Sequence, residues 1–189
     1  MPDLIIRPES AGDHPAIRAL IIEVFTEAFG SGEAEATLVE KLRGQEDFDP
    51  NLSLVATIEE RVVGHIFFCT VRFQHHPEVR AAALAPMSVH RNFQKRGVSS
   101  KLARQGLSNC TRRGYVAMFT QGDPGYYSRF GFELLGPKRI TTPFRSKYDL
   151  ALELVPGALG GVRGPLLYPD AYDPFLEKAN SHQNTKKSL

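Results

Sequence analysis

The sequence predicts a mixed α/β (α+β) fold, in which helices flank a mostly antiparallel central sheet whose central strands splay apart. Three observations predict this fold. Apolar residues recur at helical spacing in three stretches, near residues 17–29, 34–42 and 98–110. Apolar runs joined by a short turn fill residues 52–73, as in an antiparallel hairpin. Pro86 interrupts the buried run from Ala81 to Val89, and proline is confined to edges and bulges of sheets.

The first half of the chain is predicted to contain a strand, two helices and a hairpin. Asp13 caps the first helix, which has Pro15 in its first turn, and Gly30-Ser31-Gly32 ends it. The second helix ends at Gly44. The three strands are predicted at Leu4–Arg7, Leu52–Ile58 and Val62–Phe73.

The second half begins with the central strand from Ala81, followed by a basic turn and a helix that ends at Gly114. A strand over Tyr115–Thr120 is expected to run parallel to the central strand. Alternating leucines predict another strand at 150–154, and a covering loop is expected over Gly160–Pro174. The length predicts one domain, residues 1–175, with a polar C-terminal tail at 176–189.

Composition excludes several classes of function. A net charge of +2 and a pI of about 8.6 are too mild for a nucleic-acid-binding protein. No stretch approaches the ~20 apolar residues of a membrane span, and the N-terminus lacks the apolar core of a signal peptide. We therefore expect a cytoplasmic protein that binds neither nucleic acid nor membrane. Self-association into a homodimer stays open.

The cysteines and histidines do not form a metal-binding pattern. Cys69 and Cys110 lie among apolar neighbours and are predicted to be free thiols in the core. His75-His76-Pro77 is predicted to form a turn, and no other grouping has the spacing of metal ligands. We expect no metal.

The turn before the helix at residue 98 predicts an anion site. Its backbone N–H groups and the first N–H groups of the helix point the same way and attract a phosphate. Gly97 keeps side-chain atoms away from the ligand, and Lys95 and Arg96 add positive charge. An ordinary start of a helix is the alternative. The patterns of nucleoside triphosphatases and dinucleotide-binding folds are missing.

Pro86 predicts what lies next to this anion site. If pairing stops at the proline, the backbone groups of Met87, Ser88 and Val89 have no neighbouring strand on one side. An extended ligand that contains amides can pair with them, while its phosphates bind the turn. The pantetheine arm and pyrophosphate of coenzyme A have this shape.

Two motifs resemble a known family, the GCN5-related N-acetyltransferases (GNAT). The run from Gln94 to Ser99, QKRGVS, resembles their Q/R-x-x-G-x-G/A loop, with serine in place of the last small residue, and APMSVH resembles their fourth strand. The run from Gly122 to Phe132, GDPGYYSRFGF, resembles their Y-x-x-x-G-F segment and, more narrowly, the bacterial YhbS-like acetyltransferases. The resemblance covers residues 4 to 135.

The resemblance implies an acetyl-coenzyme A-dependent N-acetyltransferase with a single GNAT domain. The acceptor is expected to be a small-molecule amine or a protein amino group, and Tyr127 lies where the family places its general acid. Two packed tyrosines in a short helix are the alternative for Tyr126 and Tyr127. The residues expected to bind the cofactor are Met87, Ser88, Val89, Gln94, Lys95, Arg96, Gly97, Val98, Ser99 and Ser100.

The chemistry also requires a base for the ammonium and a donor for the thioester carbonyl. We expect the backbone N–H of Val89 or Met87 to be that donor. The central strand contains no Asp or Glu, so the base is either remote, such as Glu27 or His65, or an ordered water. The resemblance also makes Glu27, Glu33 and Glu35 candidate amine contacts, against the alternative of a solvated helix face.

Three hypotheses on function follow. The first is an acetyltransferase that acts by direct attack of an amine on the thioester. The second is a non-catalytic module that binds or senses acyl-coenzyme A. The third is a structural or interaction domain in which the turn binds nothing.

Overall fold

The computed structural model describes residues 3–136, 139–144 and 146–177. Both strands and helices occur along these ranges. The strands are β1 Ile5–Pro8, β2 Ser53–Ile58, β3 Arg61–Phe73, β4 Ala81–Val89, β5 Ala117–Gln121, β6 Glu133–Leu134, β7 Ile140–Thr141, β8 Asp149–Glu153 and β9 Gly164–Leu167. The main helices are α1 His14–Phe29, α2 Glu33–Arg43, α3 Val98–Arg112 and α4 Pro124–Tyr127.

These elements form two compact units. The first is formed by the chain up to Cys69 together with Leu84–Gly114, and the second by Thr70–Ala83 together with the chain from Tyr115. The predicted single domain over residues 1–175 stays a prediction. Residues 178–189, most of the predicted tail, lie outside the described residues.

The first unit is built on strands in the order β1-β2-β3-β4. Both β1 and β3 pair antiparallel with β2. Helix α3 packs on β3 at Gly64, where an added Cβ would lie 3.0 Å from a methyl group of Leu102. Helix α1 turns Ile17, Leu20 and Ile21 into the core, as its apolar spacing predicts.

Asp13 occupies the predicted N-cap of α1, but its carboxylate does not cap that helix. It accepts hydrogen bonds from the backbone N–H of Ser10 at 2.7 Å and from the guanidinium of Arg7 at 2.7 and 2.9 Å. The carboxylate therefore holds the end of β1 against the start of α1. The predicted position of Asp13 at the N-cap is confirmed, but its carboxylate binds Ser10 and Arg7 and not the N–H groups of α1.

The second unit follows the order β4-β5-β8-β6. The first residues of β4 pair in parallel with β5, and β8 pairs antiparallel with both β5 and β6. The predicted covering loop at Gly160–Pro174 is wrong in part, because it contains β9, which pairs with the end of β3 and with β7. Its glycines and prolines hid the strand, and β6 and β7 are too short for a recognisable pattern. The predicted mixed, mostly antiparallel fold is confirmed.

Candidate active site

Strand β4 pairs with β5 over only part of its length. The register joins Ala81, Ala82 and Ala83 to Ala117, Met118 and Phe119. Within the described residues, the other six residues of β4, Leu84–Val89, have no register partner in β5. The predicted splay is present, and pairing ends three residues before Pro86. This leaves backbone groups of the Met87–Val89 segment open on that edge.

The turn after β4 is held by a side chain. Gln94 donates from Nε2 to the carbonyl oxygen of Val89 at 3.0 Å, and the backbone N–H of His90 donates to Val63 at 2.9 Å. Gln94 therefore fixes the turn to the strand, which is a structural reason for an amide side chain at this motif position. Gln94 thus occupies the carbonyl of Val89, while Val89 has no register partner in β5 among the described residues.

The turn has the backbone of an anion-binding concavity. Lys95 and Gly97 have φ of 57° and 81°, both in the left-handed region. Alternation of left-handed and right-handed residues directs successive N–H groups toward one point. The positive φ of Gly97 favours glycine at this position. An added Cβ would meet no atom within 4 Å, so the space beside the turn is open. The predicted close approach of a ligand is compatible with this open space.

The N–H groups of this turn carry the potential for binding. Among the described residues, no hydrogen bond uses the backbone N–H of any residue from Lys95 to Ser100. The first intrahelical bond here is from Lys101 N–H to Gly97, at 3.0 Å. Lys95 and Arg96 are exposed, and neither forms an ion pair with a described residue. Six adjacent N–H donors and two exposed cations are consistent with the predicted anion site.

The side chain of Ser88 adds a further unsatisfied group. It is 1% exposed, and its hydroxyl has no hydrogen-bond partner among the described residues. Val98, the first residue of α3, is buried, and Ser99 and Ser100 are half-buried beside it. The small residues predicted at the start of α3 thus lie next to the open N–H groups.

Tyr127 lies in the second unit, at the end of α4. Asp123 caps this helix, because its carboxylate accepts a 2.9 Å hydrogen bond from the N–H of Gly125. The Tyr127 ring lies against Gly122, where an added Cβ would be 2.3 Å from Cε2. Burial raises the pKa of the Tyr127 phenol, while a hydrogen bond with Thr120 acts in the opposite direction. The proton therefore stays on the phenol at neutral pH.

Tyr126 differs from Tyr127, as the spacing predicts. Its ring packs edge-on to Tyr127 at 5.0 Å between centroids and carries the guanidinium of Arg129 at 4.6 Å. Its hydroxyl is buried and has no partner among the described residues. The ring serves as packing for the neighbouring tyrosine.

The candidate bases, Glu27 and His65, and the candidate amine contacts, Glu33 and Glu35, have different environments. Glu27 is exposed, Glu33 pairs with Arg18 at 2.5 Å, and Glu35 is half-buried. His65 is fully buried, and burial lowers its pKa despite the nearby carboxylate of Glu9. We assign no base.

His65 belongs to a buried polar cluster that the sequence did not reveal. Its Nε2 lies 3.0 Å from Oγ of Ser53 and 3.3 Å from a carboxylate oxygen of Glu9. Glu9 also accepts from Arg43 at 2.6 and 3.0 Å and from Ser53 at 2.6 Å. Burial by itself would raise the pKa of Glu9, but bonds from His65, Arg43 and Ser53 lower it to about 2. The cluster ties the end of α2 to β2 and β3.

Sequence reasoning missed Thr120 and used Gly122 only as part of a motif, although both lie next to Tyr127. The only available signal was the glycine just before Asp123, which is equally typical of a turn. The candidate cofactor residues belong to the first unit and Tyr127 to the second, so the structure groups them separately.

The remaining predictions concern thiols, metals and membranes. Cys69 and Cys110 are buried, as expected. Within the described residues, no group of three or more His, Cys, Asp or Glu side chains could hold a metal ion. None of the described helices has the length and apolar character needed to cross a bilayer.

Comparison with known proteins identifies the family. A family model described as an acetyltransferase (GNAT) domain matches residues 6–135. The chain is 35% identical over 175 residues to the uncharacterized N-acetyltransferase YhbS of Escherichia coli K12, covering 91% of this chain and all of the relative.

Solved structures agree with this match. The crystal structure of E. coli YhbS in complex with CoA has a TM-score of 0.78 and 33% identity, covering 92% of this chain and 93% of the other. A GNAT acetyltransferase from Brucella melitensis, in complex with acetyl-CoA, has a TM-score of 0.75 and 29% identity, covering 92% and 100%. The predicted resemblance is confirmed: the chain belongs to the GNAT acetyltransferase family.

Proposed function

We propose that this chain transfers an acetyl group from acetyl-coenzyme A to a primary amine, either on a small molecule or on a protein. The open edge of β4, continuing into six unbonded N–H groups, is the observation that carries the proposal. It offers backbone pairing for an extended amide chain and then a cationic site for phosphates. The YhbS and Brucella structures, which contain CoA and acetyl-CoA, support the choice of ligand.

In this proposal the first unit holds the cofactor. Backbone groups of Met87, Ser88 and Val89 pair with the pantetheine arm, and one of their N–H groups polarises the thioester carbonyl. The hydroxyl of Ser88 supplies an additional polar contact. Gln94 holds the turn in place. The residues from Lys95 to Ser100, with Gly97 at the centre, bind the pyrophosphate through N–H groups and two cationic side chains.

The reaction itself needs three proton transfers at the reacting atoms. A base that we leave unassigned takes one proton from the ammonium, and the neutral amine then attacks the carbonyl carbon to form the C–N bond. The nitrogen loses its second proton to water as the C–S bond breaks. The thiolate that leaves accepts a proton from the hydroxyl of Tyr127, and the tyrosinate regains one from solvent, so that one proton is released overall.

The pKa values constrain how Tyr127 acts. A phenol of pKa about 10 gives its proton to a thiolate of conjugate pKa about 8.5 at a cost of about 2 kcal/mol. Burial raises the phenol pKa further and therefore increases this cost. Tyr127 must accordingly contribute through a hydrogen bond to the sulfur while charge develops there, and position matters more than acidity.

Two measurements separate the hypotheses on function. Acetyl-coenzyme A at ~100 times its Kd adds about 2.7 kcal/mol of stability, a rise in Tm of roughly 5 to 10 °C for a chain of this length. If the Tm does not rise, the result supports the hypothesis of a structural or interaction domain that binds no coenzyme A. Release of free thiol with a panel of amines, and none without amine, distinguishes an enzyme from a non-catalytic binding module.

Substitution of the tyrosines tests the mechanism. Tyr127→Phe is expected to lower kcat about 100-fold and to leave the Kd for coenzyme A unchanged, because it removes a general acid and no binding group. Tyr126→Phe is the matched control and should retain the wild-type kcat. The mechanism is wrong if Tyr127→Phe turns over at the wild-type rate.

A further inference from the structure

Two buried polar atoms of the first unit have no hydrogen-bond partner among the described residues, and they belong to neighbouring strands. They are Nδ1 of His65 in β3 and Oγ of Ser88 in β4. His65 is 0% exposed and Ser88 is 1% exposed. An unpaired polar group in the interior costs free energy, so each of these atoms needs a partner in the working protein.

The pairing of the two strands places these side chains opposite each other. Strands β3 and β4 are neighbours in the sheet, and the N–H of His90, directly after β4, donates to the carbonyl of Val63 near the start of β3. The end of β4 therefore lies beside the start of β3, which makes the pair antiparallel. Because side chains return to the same face every second residue, Ser88 shares a face with His90. His65 lies two residues after Val63, so it is directly opposite Ser88 on that face, with the two Cβ atoms about 4.5–5.5 Å apart.

The contacts on the other side of the His65 ring determine which nitrogen carries a hydrogen. Oγ of Ser53 donates its one hydrogen to a carboxylate oxygen of Glu9 at 2.6 Å. The 3.0 Å contact between Oγ of Ser53 and Nε2 of His65 is then a hydrogen bond only if Nε2 carries a hydrogen. Burial lowers the pKa of His65, so the ring is neutral at pH 7 and has a single N–H. Nδ1 is therefore an acceptor with a free lone pair, opposite a serine hydroxyl that has no acceptor among the described residues.

Three charged or titratable side chains surround the ring of His65. The carboxylate of Glu9, which follows β1, lies 3.3 Å from Nε2 and favours an imidazolium. Arg43 from α2 and His14 from α1 act in the opposite direction, and Arg43 donates to Glu9 at 2.6 Å. Glu9 stays ionised, because its hydrogen bonds hold its pKa at about 2. A proton that arrives at Nδ1 is thus stabilised by a carboxylate on the far side of the ring.

We propose that Ser88 and His65 form a relay that removes the proton from the acceptor ammonium. The inference rests on the proposed acetyl transfer, because Ser88 belongs to the segment that would bind the thioester. Oγ of Ser88 accepts a proton from the ammonium nitrogen while its own hydrogen passes to Nδ1 of His65. The ammonium becomes a neutral amine, the imidazole becomes an imidazolium beside Glu9, and the serine hydroxyl is restored. The imidazolium gives its proton to water when the product leaves. Ser88 touches the substrate, and His65 is a positioning residue that acts through it.

The dependence of kcat on pH tests the relay. Spermidine, tyramine and a lysine-containing peptide are compared by thiol release, and the one with the highest rate is used. In the wild type kcat should be constant from pH 7 to pH 9, since Nδ1 is already unprotonated. Ser88→Ala is expected to lower kcat at pH 7 about 100-fold, the contribution of a general base. Its kcat should then rise about tenfold per pH unit toward the amine pKa of about 10, because only free amine reacts.

Variants separate the relay from a structural role. Ser88→Ala removes an unsatisfied hydroxyl, so the Tm of the free protein should stay the same or rise. His65→Gln keeps a donor for Glu9 but no group that titrates, and it should share the pH dependence of Ser88→Ala. The double variant should have the kcat of either single variant, since both interrupt one path. Ser108→Ala removes an exposed hydroxyl of α3 and is the matched control. A wild-type pH dependence of kcat in Ser88→Ala overturns the relay.

The hydrogen on the His65 ring gives a test that needs no turnover. A long-range ¹H–¹⁵N NMR spectrum of the wild-type protein distinguishes the protonated ring nitrogen from the unprotonated one. At pH 7 we expect the hydrogen on Nε2. A hydrogen on Nδ1 would contradict the proposal, because that nitrogen could then accept no proton.

Failure of this inference differs from failure of the proposed function. If acetyl-coenzyme A does not raise the Tm of the wild-type protein, or if no amine releases thiol, the transferase proposal itself fails and the relay with it. If the wild type turns over while Ser88→Ala keeps its pH dependence, only the relay is wrong.

Discussion

The contact between Gly122 and Tyr127 makes a sharp test of whether the position of the tyrosine matters. In Gly122→Ala the new Cβ would lie 2.3 Å from Cε2 and 3.0 Å from Cδ2 of the ring, well inside van der Waals contact. The φ of Gly122 lies outside the left-handed region, so alanine causes no backbone strain there. The effect of the substitution is therefore steric.

The size of the effect follows from what surrounds the ring. Phe132 packs edge-on to it at 5.6 Å between centroids and Tyr126 at 5.0 Å, so the ring moves only by displacing other aromatic side chains. Overpacking of this kind costs about 1–3 kcal/mol of stability. Relief of the overlap requires a shift of about 1 Å, and misplacement by that amount lowers kcat about 100-fold.

The assay compares kcat from thiol release with the free energy of unfolding from denaturant titration. Gly161→Ala is the control, because its added Cβ would meet no atom within 4 Å, and it should change neither quantity. Combining Gly122→Ala with Tyr127→Phe should give the kcat of Tyr127→Phe alone, since the hydroxyl is already lost. A wild-type kcat in a destabilised Gly122→Ala protein would refute the positional argument for Tyr127.

Three more predictions test other parts of the structure. Gly97→Ala forces a left-handed alanine at a cost of about 1 kcal/mol and should raise the Kd for coenzyme A, measured by calorimetry, while Gly161→Ala leaves it unchanged. Because the pKa of Glu9 falls from about 4.5 to about 2 on folding, its stabilisation of about 3 kcal/mol is present above pH 4.5 and lost toward pH 2. The difference in unfolding free energy between wild type and Glu9→Gln should shrink as the pH falls over that window. A difference that stays constant would contradict the stabilising role of ionised Glu9 in the cluster. Burial raises the pKa of the Cys110 thiol to about 12, so a thiol reagent should label it only after unfolding; labelling of the native protein contradicts its burial.

Local patterns explain why most elements were predictable. The hairpin of β2 and β3, the helix after Gly97 and the cap at Asp123 all depend on residues a few positions apart, where propensity and turn chemistry act directly. Pro86 predicted that pairing is interrupted, but the register with β5 already ends at Ala83, three residues earlier, so the missing N–H of the proline does not set the point of the splay. Strand β9 escaped prediction because its pairing with β3 overrides the weak strand propensity of Gly164 and Pro165.

The candidate site divides in the same way. The amino-acid sequence by itself determined the glycine-containing turn that we propose binds phosphate and the place of Tyr127 in a short helix, because both are continuous segments whose local structure follows from residue spacing. Only the tertiary structure decided that Asp149 accepts a hydrogen bond from Gln121, that Gly122 supports the tyrosine ring, and that Glu9, Arg43 and His65 form one buried cluster. These contacts join residues that are far apart in the chain. They depend on packing and desolvation in the folded protein, which no local sequence pattern encodes.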